Sequence, residues 1–202
     1  MRATEQDPTK RAAWQREIAT WDTRRVVFLD ETSTHTSFTR TPGRAKTGTR
    51  VIGRVPRNHG PNISCLAALT PSGIVTSLAI PGAIDGQVFT QWLATELLPR
   101  LAPGTTIVLD NLNVHRSAHV HTLVAEAGCT LRFLPASSPD FNPIELTFSR
   151  RKTRRRAAGK RTFDDVVTEI GTSFSSVTAA HAQAWFRHCG YPPPDRPPSQ
   201  PL

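Results

Sequence analysis

Three acidic residues stand where acids are costly. Val26-Val27-Phe28-Leu29 runs into Asp30, and Thr105-Thr106-Ile107-Val108-Leu109 runs into Asp110. Each run is short, apolar and β-branched, the pattern of a buried strand. A carboxylate at the edge of a core is expensive unless it is paired or holds a metal, so two such strands ending alike argue for a common task. The competing reading of either Asp alone is a turn starter or helix cap. Glu145 is the third acid. Asn142 suits a helix N-cap and Pro143 the first helical position, which puts Glu145 at N3, where it could equally complete a capping box. If the three carboxylates meet, their hard oxygens suit magnesium or manganese better than zinc. Two such ions could bracket a phosphodiester, activating an attacking oxygen on one side and neutralising the leaving oxygen on the other.

The elements that must position these acids can be read in order. Trp14, Ile18 and Trp21 repeat at i, i+4 and i+7, which predicts a short amphipathic helix packing one stripe on the body. The Asp30 strand follows. Ile63–Leu69 and Ile74–Ile80, joined by Thr70-Pro71-Ser72-Gly73, read as a hairpin beside that strand. Gly86–Leu101 has helical spacing and ends at Pro103-Gly104 before the Asp110 strand. A helix over Ser117–Ala127, a strand over Thr130–Leu134 and the Pro135–Phe148 stretch come next. Helices at Thr162–Val177 and His181–His188 complete the pattern. Three strands, a helix, then alternating strand and helix predict an α/β chain of ribonuclease-H-like order, a mixed five-stranded sheet flanked by helices. The expected division is an N-terminal helical extension over 1–25, one catalytic domain over 26–191 and a disordered proline-rich tail over 192–202.

The 202-residue chain can bury one sizeable core, and it has no long apolar run to span a membrane. Its start lacks a leader pattern, and Cys65, Cys129 and Cys189 lack C-x-x-C spacing, so reduced thiols in a cytoplasmic protein are expected. His115, His119 and His121 likewise lack partner cysteines at zinc spacing. A net charge of +9 and a pI near 10.7 favour a polyanionic partner.

The motifs L-D-E-T at 29–32, L-D-N-L-N-V-H at 109–115 and S-P-D-F-N-P-I-E-L-T-F-S at 138–149 resemble the three acidic motifs of DDE transposases of the mariner superfamily and its bacterial insertion-sequence relatives. The 34 residues between Asp110 and Glu145 match the separation found in part of that superfamily. The resemblance covers roughly Val26–Tyr191. It implies that Asp30, Asp110 and Glu145 form the catalytic triad and hold two magnesium or manganese ions, with Asp30 shared between them. The implied activity is strand cleavage at element ends followed by transfer of the 3′-hydroxyl into target DNA. The implied partners are double-stranded DNA, a second copy of the chain in the DNA complex, and a separately encoded helix-turn-helix subunit. The setting implied is bacterial cytoplasm, acting on chromosomal DNA.

Supporting positions follow from the same motifs. Asn111 and His115 match the second motif and could orient ligands or touch phosphate, or be ordinary satisfied loop polars; Asn142, as the cap of the Glu145 helix, is the third supporting position, while Glu31 should point to the opposite face of its strand. Arg44, Lys46 and Arg50 lie in an acid-free, glycine-broken stretch able to lie along phosphates. Arg150, Arg151, Lys152, Arg154 and Arg155 continue from the Glu145 helix, and arginine's fork suits phosphate. The sequence departs from the family in two ways. Arginines occupy 151 and 155, where sheet-facing apolar residues are expected, and 25 residues before the first strand cannot hold a DNA-reading helix-turn-helix region. Two rival readings remain: a stand-alone ribonuclease-H-like nuclease, and an inactive DNA-binding remnant.

Overall fold

A computed structural model describes residues 4, 6–35, 45–50, 52, 62–110, 117–158 and 162–194, with backbone alone for 151–158. Five strands make one sheet: β1 (Val26–His35), β2 (Asn62–Thr70), β3 (Gly73–Pro81), β4 (Thr106–Leu109) and β5 (Thr130–Phe133). Their order is β3-β2-β1-β4-β5. β1, β2 and β3 pair antiparallel, and β4 and β5 add in parallel with β1, so the sheet is mixed as the element order predicts. Among the described residues, six α-helices flank it: α1 (Pro8–Ile18), α2 (Gly86–Trp92), α3 (Ala118–Glu126), α4 (Pro143–Ala158), α5 (Phe163–Ser175) and α6 (Ala179–His188).

Strand alternation divides the core between the two faces. Val26, Phe28, Ile63, Cys65 and Val108 pack with residues of α1, α4, α5 and α6 on one side. Val27, Leu29, Leu66, Ile107 and Leu109 pack with α2 and α3 on the other. The two faces thus have different duties, since only the first carries the helix that bears Glu145.

Several boundaries differ from the sequence reading. α1 stops at Ile18, so Trp21 lies beyond the helix; it still meets Trp14 edge-on at 5.3 Å, because the chain turns back rather than continuing the helical stripe. The Gly86–Leu101 helix holds its α pattern only to Trp92, then passes through a π turn over Leu93–Leu97 and a 3₁₀ turn over Leu98–Arg100. Pro99 lacks the N–H an α-helix needs there. α3 ends where expected because Gly128 takes φ 67°, and its N–H and that of Cys129 close back on Ala125 and Val124. α6 begins at Ala179, earlier than His181, because Thr178 supplies the cap and His181 reaches back to the Thr178 N–H. The tail beyond residue 194 lies outside the described residues.

Candidate active site

β1 does not end at Asp30, as its apolar run suggests; it continues to His35 because β2 pairs with it along the whole of 28–35. β4 does end at Leu109. The parallel register sets Phe28 against Val108, and two residues further on it brings Asp30 alongside Asp110. Alternation puts both acids on the face of Phe28 and Val108, the face packed by Ile144 and Phe148 of α4. The first turn of α4 therefore starts over the two aspartates. Asp30, Asp110 and Glu145 line one cavity of ≈ 380 Å³, walled by the 134–139 connection and by Asn142.

The three acids differ in setting. Asp30 is 8% exposed, Asp110 is half-buried and Glu145 is exposed. Asp30 Oδ1 accepts from the Glu31 backbone N–H at 2.7 Å, and Oδ2 accepts from Asn142 Nδ2 at 2.8 Å. The second bond crosses 112 residues and ties the first acid's strand to the third acid's helix.

That bond corrects the capping expectation. Asn142 stands just before α4, but its side chain does not cap the helix; Glu145 N–H bonds the Asn142 backbone carbonyl at 3.2 Å instead. The amide turns toward Asp30 because a buried carboxylate is the more demanding partner. Asn142 is only 3% exposed, and its Oδ1 is buried without a hydrogen-bond partner.

Two anchors that the sequence reading missed hold the turn before α4. Tyr191 Oη donates to the Phe141 carbonyl at 2.8 Å and accepts from Trp14 Nε1 at 3.2 Å. Burial pushes the Tyr191 hydroxyl up, so it stays a donor. Arg11 Nη1 donates to Ser138 Oγ at 2.7 Å and to Asp140 Oδ1 at 3.0 Å, and the guanidinium lies 4.3 Å from the Phe141 ring centroid. The hydrogen bond from Arg11 holds the Asp140 carboxyl below the usual aspartate range. Trp14 could be found from its helical spacing; nothing local marks Arg11 or Tyr191, whose partners are more than 49 residues away.

The oxygen-only donor set around this cavity fits hard divalent cations, and the unpartnered Asn142 oxygen adds a polar atom in its wall. Among the described residues, no three His, Cys, Asp or Glu side chains already form a metal-holding cluster. Lys46 and Arg50 are exposed and Arg150 is half-buried. Arg44, Asn111 and His115, and the side chains of Arg151, Lys152, Arg154 and Arg155, lie outside the described residues. No described helix is long and apolar enough to cross a membrane.

Comparison with solved structures finds the same fold in the catalytic domain of Mos1 mariner transposase, at TM-score 0.66 and 13% identity over 94% of this chain and 89% of that one. The Mos1 strand transfer complex gives TM-score 0.70 at 15% identity, with 92% of this chain and 56% of that chain covered. The Mos1 paired-end complex with Mg gives TM-score 0.70 at 16% identity, with 90% and 57% covered. The chain thus spans little more than half the length of the transposase in those complexes, and at such identity the likeness establishes the fold. No curated protein matches the chain. The family model of the DDE superfamily endonucleases matches residues 25–168, which carry all three acids, and the chain belongs to that family.

Proposed function

We propose that this chain is the catalytic part of a mariner-type DDE transposase, cutting DNA strands at the ends of a mobile element and joining the freed 3′-hydroxyl to target DNA. The observation that carries the reading is that Asp30, Asp110 and Glu145, from β1, the end of β4 and the first turn of α4, line a single cavity. Asp30, Asp110 and Glu145 would hold divalent ions, magnesium or manganese, whose chemistry is to polarise a phosphodiester and favour ionisation of an attacking hydroxyl.

The chain's own residues do the rest. Asn142 fixes the Asp30 carboxylate through Nδ2, so one ligand oxygen is already oriented. The proline-bounded connection over 134–139 forms a wall of small residues, giving a phosphate room to approach the acids. Along α4, positions 150–155 carry five basic residues within about 15 Å of helix from Glu145. Together with Lys46 and Arg50, they would hold duplex phosphates at a cost in salt sensitivity. End recognition and pairing of two ends would come from a second copy and a separately encoded DNA-reading subunit, within the bacterial cytoplasm.

The test is divalent-dependent nicking of element-end DNA by wild type, Asp110→Asn and Glu145→Gln. Both variants should fold and bind DNA while cleavage disappears. Cleavage that survives in either removes that residue from the site, and metal-independent binding without nicking in wild type would indicate a non-catalytic remnant.

A further inference from the structure

Contacts from α1 and the residues just before it converge on the turn that leads into the helix bearing the third acid, which packing alone does not require. Its buried stripe, Trp14 and Ile18, already docks the helix on the core. Arg11 nevertheless reaches the Ser138–Phe141 turn with both a hydrogen-bonding fork and a ring contact. Gln6 Nε2 donates to the carbonyl of Ser137 at 2.7 Å, and Ser137 holds φ 51°, an unusual setting for a residue with a side chain. Glu17 pairs with Arg132 on β5, at the other end of the same connection. From this turn the path to the acids is short: Phe141 N–H bonds Ser138 O, Asn142 N–H bonds Pro139 O, and Glu145 N–H bonds Asn142 O.

We propose that Arg11 is a positioning residue of the active site, its fork on Asp140 and Ser138 setting where Asn142 and Glu145 stand relative to Asp30. This rests on the reading of the three acids given above. An exposed ion pair on its own contributes little to stability. The consequence of this one is geometric, because a planar guanidinium held at two oxygens and a ring face admits one orientation of the turn.

Arg11→Gln, Arg11→Lys, Asp140→Asn and the double variant Arg11→Gln/Asp140→Asn test it by amide hydrogen exchange, thermal melting and cleavage against magnesium concentration. In Arg11→Gln the amides of Phe141, Asn142 and Glu145 should exchange about tenfold faster, while those of β1 and β4 do not change. Cleavage should fall on the order of tenfold, with half-saturating magnesium shifted upward and the melting temperature little changed. Asp140→Asn should reproduce this, the double variant should be no worse than either single one, and Arg11→Lys should fall between. Unchanged exchange at 141–145, additive single effects, or a cleavage loss that tracks the unfolded fraction would overturn the proposal. If wild type does not cleave, the exchange result still decides the role of Arg11, and the failure belongs to the catalytic reading.

Discussion

Replacing Tyr191 with phenylalanine removes one oxygen that serves two buried groups, the Phe141 carbonyl and the Trp14 indole N–H. Tyr191 is 2% exposed and Trp14 6%, so water cannot readily substitute. Leaving a buried polar group unsatisfied costs about 1–3 kcal/mol, which for two groups with some relaxation sums to about 2–4 kcal/mol. For a chain of this length each kcal/mol moves the melting temperature by about 2–4 °C, so Tyr191→Phe should melt roughly 4–16 °C lower. A second arm uses alkaline pH. Burial raises the Tyr191 hydroxyl, so the folded state keeps a proton that the unfolded state releases near pH 10. Its contribution is therefore complete below that pH and declines above it by about 1.4 kcal/mol per pH unit, a slope the phenylalanine variant lacks. Tyr191 is the chain's single tyrosine, so phenolate absorbance reports this group alone and should appear only as the protein unfolds. A variant melting within about 1 °C of wild type, or a phenolate signal rising near pH 10 in folded protein, would refute the reasoning.

Three further outcomes follow from the same geometry. Asn142→Ala loses a bond to a carboxylate, about 1.5–3 kcal/mol, but also deletes a buried orphan acceptor of similar cost; stability should stay within about 1 kcal/mol of wild type while cleavage drops at least about tenfold, which melting and nicking assays check together. Any stability difference between wild type and Asp140→Asn should be small, at most about 1 kcal/mol for so exposed a carboxylate, present above pH 3.8, the ordinary aspartate value, and gone once acid protonates the depressed Asp140 carboxyl; chemical denaturation from neutral pH into acid measures it. Cys189 is buried and its thiol is pushed up to about 12, so an alkylating reagent at neutral pH should label it only after denaturation, as mass spectrometry of the peptide shows.

The strands and their acids were legible because burial writes itself into sequence as apolar, β-branched runs, and an Asp at the end of such a run stands out. The order of elements gave the sheet for the same reason. What the runs could not show was that β1 continues past Asp30, since Glu31, Thr32, Ser33 and Thr34 look like an exit yet are held by pairing with β2. For Asn142 local chemistry favours a side-chain cap, whereas the partner its amide takes lies on another strand. Arg11 and Tyr191 were invisible for a related reason: one is a charged residue a turn before Trp14 on the same face of a short helix, the other stands just before a proline run, and only the closed fold joins both to the same turn.

The parallel seam between β1 and β4 joins residues about eighty positions apart, whereas β1 to β3 form a meander of near neighbours. Closing so long a loop is slow, so the meander can assemble while the chain is still emerging and the seam must wait. Asp110 and Glu145 both lie downstream of that wait. A chain synthesised only through β3 therefore presents Asp30 alone, and the acids can assemble only once the segment bearing Glu145 has followed.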